Sequence, residues 1–332
     1  MRHASEGFSG WRRECGTGFL TVKVSTAADN WSNAVREIKG AQFPVVFSPD
    51  GREMVYGDEV GIGDGDDAER TGRLFRAEWE NPDAQPAVLV SESWVRQLPC
   101  AWTRDGRILF WRDPDFSGSA ISDGLELSAI PAAGGVITKL GVSTLIHDDV
   151  LAFSPKGDKL AIGAGDGRED WQGKRIAVTD PERWKPSYLT DDKTSAVSPS
   201  WSPDGERFAY SAAPGPTERY GVGGGDEARQ LLAKRRIWLR NLTTMDAPTT
   251  LTADSRYRDE KPLWSADGKH ILFCRMDASD RVTLWLMGAA GEDPAQVAGP
   301  LYSDPGDLGV DETWFGYYGY IHWGRMFDWL RG

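Results

Sequence analysis

A chain of 332 residues, 40% of them hydrophobic, with 38 Gly and 19 Pro, suits one large repetitive domain or two ordinary ones rich in turns. Its formal net charge of −12 excludes a nucleic-acid backbone as partner, since binding phosphates needs concentrated Lys and Arg. The 3 cysteines (Cys15, Cys100 and Cys274) form no C-x-x-C pair, so neither a disulfide framework nor a zinc knuckle is indicated, and no apolar run reaches the roughly 18 residues of a membrane span.

In chain order, residues 1–16 read as a tail without the apolar stretch of a secretory leader. The chain as given is therefore expected in the cytoplasm, or in the periplasm or outside the cell if its true start lies upstream. Residues 17–40 read as an outer strand pair. Five hairpins follow: "FSPDGREMVY" at 47–56, "WTRDGRILFW" at 102–111, "FSPKGDKLAI" at 153–162, "WSPDGERFAY" at 201–210 and "WSADGKHILF" at 264–273. Their third turn residues, Asp50, Asp105, Lys156, Asp204 and Asp267, are 55, 51, 48 and 63 apart. In S-P-D-G, proline presets φ, aspartate caps the turn, and glycine takes the positive φ.

A third strand follows each hairpin, in "RLFRAEW" (73–79), "LELSAIP" (125–131), "RIAVTDP" (175–181), "RIWLRNL" (236–242) and "TLWLMGA" (283–289). Fourth strands are expected in "PSYLT" (186–190) and "PTTLT" (248–252). Four antiparallel strands per repeat of roughly fifty residues describe an all-β propeller. Its first five blades are expected near 41–96, 97–146, 147–194, 195–257 and 258–309. A sixth would join 17–40 to 310–332, so strands from both termini close a single six-bladed domain.

Residues 57–72 and 163–173 are expected as long loops between second and third strands. Residues 211–236 form an insertion that begins rich in Pro and Gly and ends helix-like in "DEARQLLAKRR". "DGDD" at 64–67 lacks the glutamate of a calcium loop, because its twelfth position is Phe75. Trp102, Trp201 and Trp264 hold one motif position and are expected in the core. The aromatics Trp314, Phe315, Tyr317, Tyr318, Tyr320, Trp323, Phe327 and Trp329 are expected to pack the closing blade.

The pattern in "VSPSWSPDGERFAY" (197–210) and "EKPLWSADGKHILF" (260–273) resembles the TolB-like or PD40 (WD40-like) propeller repeats, over nearly the whole chain. Related repeats occur in prolyl-oligopeptidase-type propellers. The chain has no G-x-S-x-G nucleophile motif, which argues against a serine peptidase, and no room for the separate N-terminal α/β domain of TolB itself.

In such a propeller the residues just before each hairpin ring a central channel. Here these are Gln42-Phe43, Gln97-Leu98, Asp148-Asp149, Ala196-Val197, Asp259-Glu260 and Asp311-Glu312, with His147 preceding one acidic pair. These side chains are expected either to bond the backbone of neighbouring blades or to bind a ligand at the channel mouth. His147, Asp149, Glu260 and Glu312 could hold a divalent cation through hard ligands; no other cofactor is indicated. The function expected first is a monomeric scaffold binding a protein, peptide or small molecule. The alternative is a small-molecule lyase or hydrolase built around that cation, with no catalytic residue assigned.

Overall fold

The computed structural model describes residues 21–24, 36–39 and 42–301, except 63–68, 79–80, 82, 115, 117–122, 166, 168–170, 181, 183 and 217–224, together with Ile321, Trp323 and Phe327. The chain divides into two compact units, Met1–Gly118 with Glu126–Lys139, and Ser119–Leu125 with Leu140–Gly332.

In the first unit, β1 (Thr21–Val24) pairs antiparallel with β2 (Arg36–Lys39), Thr21 facing Lys39. Next, β3 (Gln42–Phe47), β4 (Glu53–Ile62), β5 (Glu69–Glu78) and β6 (Ala87–Ser93) form a four-stranded antiparallel sheet in chain order. Strands β7 (Arg96–Trp102), β8 (Arg107–Asp113) and β9 (Leu125–Pro131) pair in the same way. Strand β10 (Thr138–Thr144) carries the chain into the second unit.

There a 3-10 turn, Asp148–Val150, leads into β11 (Leu151–Phe153), β12 (Leu160–Ala164), β13 (Arg175–Thr179) and β14 (Pro186–Tyr188), which pair in succession. β10 touches β12 through Thr144 and Ala164. A four-stranded sheet follows from β15 (Thr194–Trp201), β16 (Arg207–Pro214), β17 (Arg236–Asn241) and β18 (Thr249–Thr250), with helix α1 (Gly225–Leu232) between its second and third strands. The last consists of β19 (Arg258–Trp264), β20 (His270–Met276), β21 (Val282–Gly288) and β22 (Ala295–Leu301). No helix among the described residues is long and apolar enough to cross a membrane.

The turn chemistry read from S-P-D-G is present. In the fourth hairpin the Gly205 N–H donates to Ser202 O at 2.9 Å, Ser202 Oγ donates to Asp204 at 2.5 Å, and Gly205 has φ +73°. Where Lys156 replaces the aspartate, Asp158 takes over the serine hydroxyl at 2.7 Å, so the cap survives two residues later. We expect Gly205→Ala to lower stability by about 1 kcal/mol in chemical denaturation, because alanine resists a positive φ.

Each core lies between successive sheets. Val55, Leu74 and Val90 pack on Ile108, Phe110 and Ile130 in the first unit. In the second, Ala161 and Ile176 meet Trp201, Phe208 and Tyr210, while Ala209 and Ile237 meet Trp264, Ile271, Phe273 and Met287. The loop expected at 57–72 is corrected. β4 and β5 extend into it from both sides, pairing Gly61 with Arg70 and Ile62 with Glu69. The bidentate Arg73–Asp58 pair (2.8 and 2.7 Å) adds a cross-strand tie. The sixth blade and its closure from both termini fall largely outside the described residues.

Candidate functional site

The first strand of four hairpins leaves register at the same point. The shifts fall between Gln42 and Val45, Pro99 and Ala101, Val197 and Ser200, and Glu260 and Leu263. Each contains or abuts a proline two or three residues before the motif aromatic: Pro44 before Phe47, Pro99 before Trp102, Pro199 before Trp201 and Pro262 before Trp264. Proline cannot donate to the ladder, so the strand bulges there. Ser198 and Lys261, each just before its proline, adopt φ +53° and +51°. The bulges lie close in sequence to Gln42, Gln97, Asp259 and Glu260.

Gln42 opens β3 opposite Gly57; its side chain lies outside the described residues, as do Asp311, Glu312 and the Asp148 side chain. Gln97, on β7 opposite Arg112, is buried, and its Nε2 donates to Val95 O at 3.1 Å and to Glu92 at 3.3 Å. Arg112 ties Glu92 to Glu126, which also accepts from Lys139 at 3.0 Å. This position closes an internal polar relay of the first unit. His147 and Asp149 are both buried at the 3-10 turn before β11.

Asp259 and Glu260 are buried on β19, and each meets arginine. Asp259 accepts a two-pronged hydrogen bond from Arg275, its cross-strand partner, at 2.7 and 3.0 Å. The Arg275 guanidinium in turn lies 4.4 Å from the Trp285 ring centre and 4.8 Å from that of Tyr257, where aromatic faces stabilise it. Tyr257 and Trp285, with Asp277, Arg281 and Gln296, also line a pocket of about 130 Å³.

Glu260, 2% exposed, accepts from Arg235 at 2.9 Å and from Arg258 Nε, while its second oxygen accepts from the Trp323 indole N–H at 2.5 Å. Burial alone would raise this carboxyl, but Arg258, Arg235 and the indole outweigh it and hold the group below the ordinary 4.5. Glu260 is thus a counter-ion between two guanidinium groups. Burial pushes the Cys100 and Cys274 thiols well up, which keeps both neutral. Among the described residues, no group of three or more His, Cys, Asp and Glu is placed to hold a metal ion.

The structure therefore brings Asp259 and Glu260 to adjacent buried positions, each neutralised by arginine. Sequence reasoning missed Arg235, Arg258 and Arg275. Arg258 was within reach, since it precedes Glu260 by two on one strand and must share its face. Arg275 required the register across a bulged hairpin, and Arg235 comes from the preceding sheet.

No family model matches the chain. A stretch of 98 residues is 29% identical to the Tol-Pal system protein TolB of Roseobacter denitrificans, covering 29% of this chain and 22% of that protein. The match thus spans about a fifth of that relative's length. Among solved structures, a puromycin-hydrolyzing peptidase of Mycobacterium tuberculosis aligns over 91% of this chain and 45% of its own, at 12% identity and a TM-score of 0.53. A putative TolB of Agrobacterium tumefaciens aligns over 79% of this chain and 84% of its own, at 17% identity and a TM-score of 0.41. The peptidase likeness extends to the fold, not to its chemistry.

Proposed function

We propose that this chain, whose hairpin repeats are those of the TolB-like (PD40) propeller family, is a scaffold that binds a protein or peptide partner. The observation that carries the proposal is Trp94, in the turn between β6 and β7 that leads to Gln97. It is 49% exposed, yet its backbone sits at φ +62°. A left-handed conformation costs a bulky residue about 1–3 kcal/mol. An indole with half its surface in water recovers little of that through packing, so a role in recognition fits it better than a role in stability.

The turn beneath it is rigid. The Trp94 N–H donates to Arg70 O at 2.7 Å, and Gly72 lets β5 approach so closely that an added Cβ would lie 2.0 Å from Val95 O. Glu59 pairs with Arg70 at 3.7 Å and with Arg96 at 3.6 Å, and both arginines lie over the Phe116 ring. A fixed, exposed tryptophan rimmed by charges has the anatomy of an interface hot spot. The TolB relative is, by its name, a member of the Tol-Pal system, and repeats of this kind suit protein assembly.

The alternative, a cation-dependent lyase or hydrolase, is less well supported, because Glu260 already neutralises two arginines. Trp94→Gly tests the proposal. Glycine accepts φ +62°, so stability should hold or rise by about 1 kcal/mol. Affinity for a partner captured on the immobilised wild-type chain should fall at least tenfold by calorimetry. Loss of stability with unchanged capture would make Trp94 a structural residue and remove the proposal.

A further inference from the structure

Arg235 follows α1 and immediately precedes β17. Its backbone is fixed on both sides: its N–H donates to Leu232 O at 2.9 Å, and its carbonyl accepts from the Asp259 N–H at 3.1 Å. The side chain is 1% exposed, and its Nη1 is spent on Glu260. The other edge of the guanidinium, Nε and Nη2, is buried without a hydrogen-bond partner among the described residues. Buried guanidinium donors left unpaired are costly, and native proteins rarely leave them so.

That edge is the one arginine uses to grip a carboxylate side-on, two parallel N–H groups facing two oxygens. The chain fills it in this way elsewhere. Arg73 closes Nε and Nη2 on Asp58 at 2.8 and 2.7 Å, Arg256 on Asp254 at 3.0 and 2.7 Å, and Arg275 on Asp259 at 2.7 and 3.0 Å. The corresponding residue of the preceding sheet, Lys174, is equally buried, but its ammonium reaches Gly167 O at 3.0 Å and Gly165 O at 3.5 Å. Among the described residues, Arg235 is the one arginine with both Nε and Nη2 buried and unmet.

The donor geometry gives the sign and the size of the missing group. Arg235 and Arg258 both contact the carboxylate of Glu260, which the Trp323 indole also holds in place. The two remaining N–H groups on one edge of the Arg235 cation match the two oxygens of one carboxylate. We propose that Arg235, Arg258 and Glu260 form a carboxylate-binding site, in which Nε–H and Nη2–H of Arg235 take the two oxygens of a ligand monocarboxylate. A small carboxylic acid and the C-terminus of a peptide share this chemistry. The site is independent of the docking surface at Trp94.

Thermal unfolding of the full chain in sodium acetate, with ionic strength held constant by sodium chloride, tests it. The midpoint should rise saturably by at least about 2 °C, as binding to the folded state alone requires. Arg235→Lys keeps a positive charge opposite Glu260 but lacks the fork, and should lose the rise. N-acetyl-triglycine acting at tenfold lower concentration than acetate, with its amide inactive, would identify a peptide terminus; acetate acting alone would identify a small acid. Should Arg235→Lys fail to fold, one buried arginine Nε–H resonance of the wild-type chain should still move on adding acetate. No saturable rise with either acid, an equal rise in Arg235→Lys, or a resonance that stays fixed overturns the site.

Discussion

Glu260→Gln is expected to destabilise the protein by about 3–5 kcal/mol in urea denaturation at neutral pH, a large effect for a change of nearly constant shape. The amide can still accept from the Trp323 indole, but Arg235 and Arg258 lose the buried carboxylate that both contact. The pH dependence follows from the lowered carboxyl pKa. The folded-state value lies below the ordinary 4.5, so the unfolded chain binds the extra proton first as pH falls. The stabilisation is complete above about pH 5 and is lost as pH drops below 4.5 through the folded value. The difference between wild type and Glu260→Gln should therefore be constant at neutral pH and shrink in acid. A gap that stays level down to pH 3 would mean that the carboxylate charge is not what holds the cluster.

Trp201→Ala should cost a similar amount, about 3–5 kcal/mol, from the cavity left by a fully packed indole. Trp201 is buried against Phe208 in the core between two sheets, and its Nε1–H donates to Ala152 O, on the preceding sheet, at 2.8 Å. Trp264 holds the corresponding motif position and is as deeply buried, but its indole N–H has no acceptor among the described residues. Replacement by phenylalanine separates the two roles. Trp201→Phe orphans a carbonyl and should cost about 1–3 kcal/mol more than its lost area explains, whereas Trp264→Phe removes no hydrogen bond. Equal costs in denaturation would show that the indole bond between sheets contributes nothing.

Much of the strand plan was legible before any coordinates. The expected strand "LELSAIP" is β9 from end to end, and "RIWLRNL" differs from β17 by one residue. Both succeed because alternation of apolar and polar residues is a local signal. The loop at 57–72 failed because its glycines resemble a break, while their effect depends on whether a partner strand runs alongside. For the site, the acidic pair at 259–260 stands out in the sequence by its place in the repeat, and the structure buries both residues. Its role was not legible. The partners that neutralise Glu260 lie 25 residues before it, two before it and 63 after it, and spacing along the chain does not reveal such meetings.

The amino-acid sequence by itself determined the repeat, the hairpin turns and the apolar face of each strand, because these depend on neighbours a few residues apart. Only the tertiary structure decided what the buried charges do. Strand register sets Asp259 opposite Arg275, and the chain's folding brings Arg235 to Glu260. In a medium of low polarity, the sign and geometry of those partners, not the acidic residues alone, set the chemistry of the place.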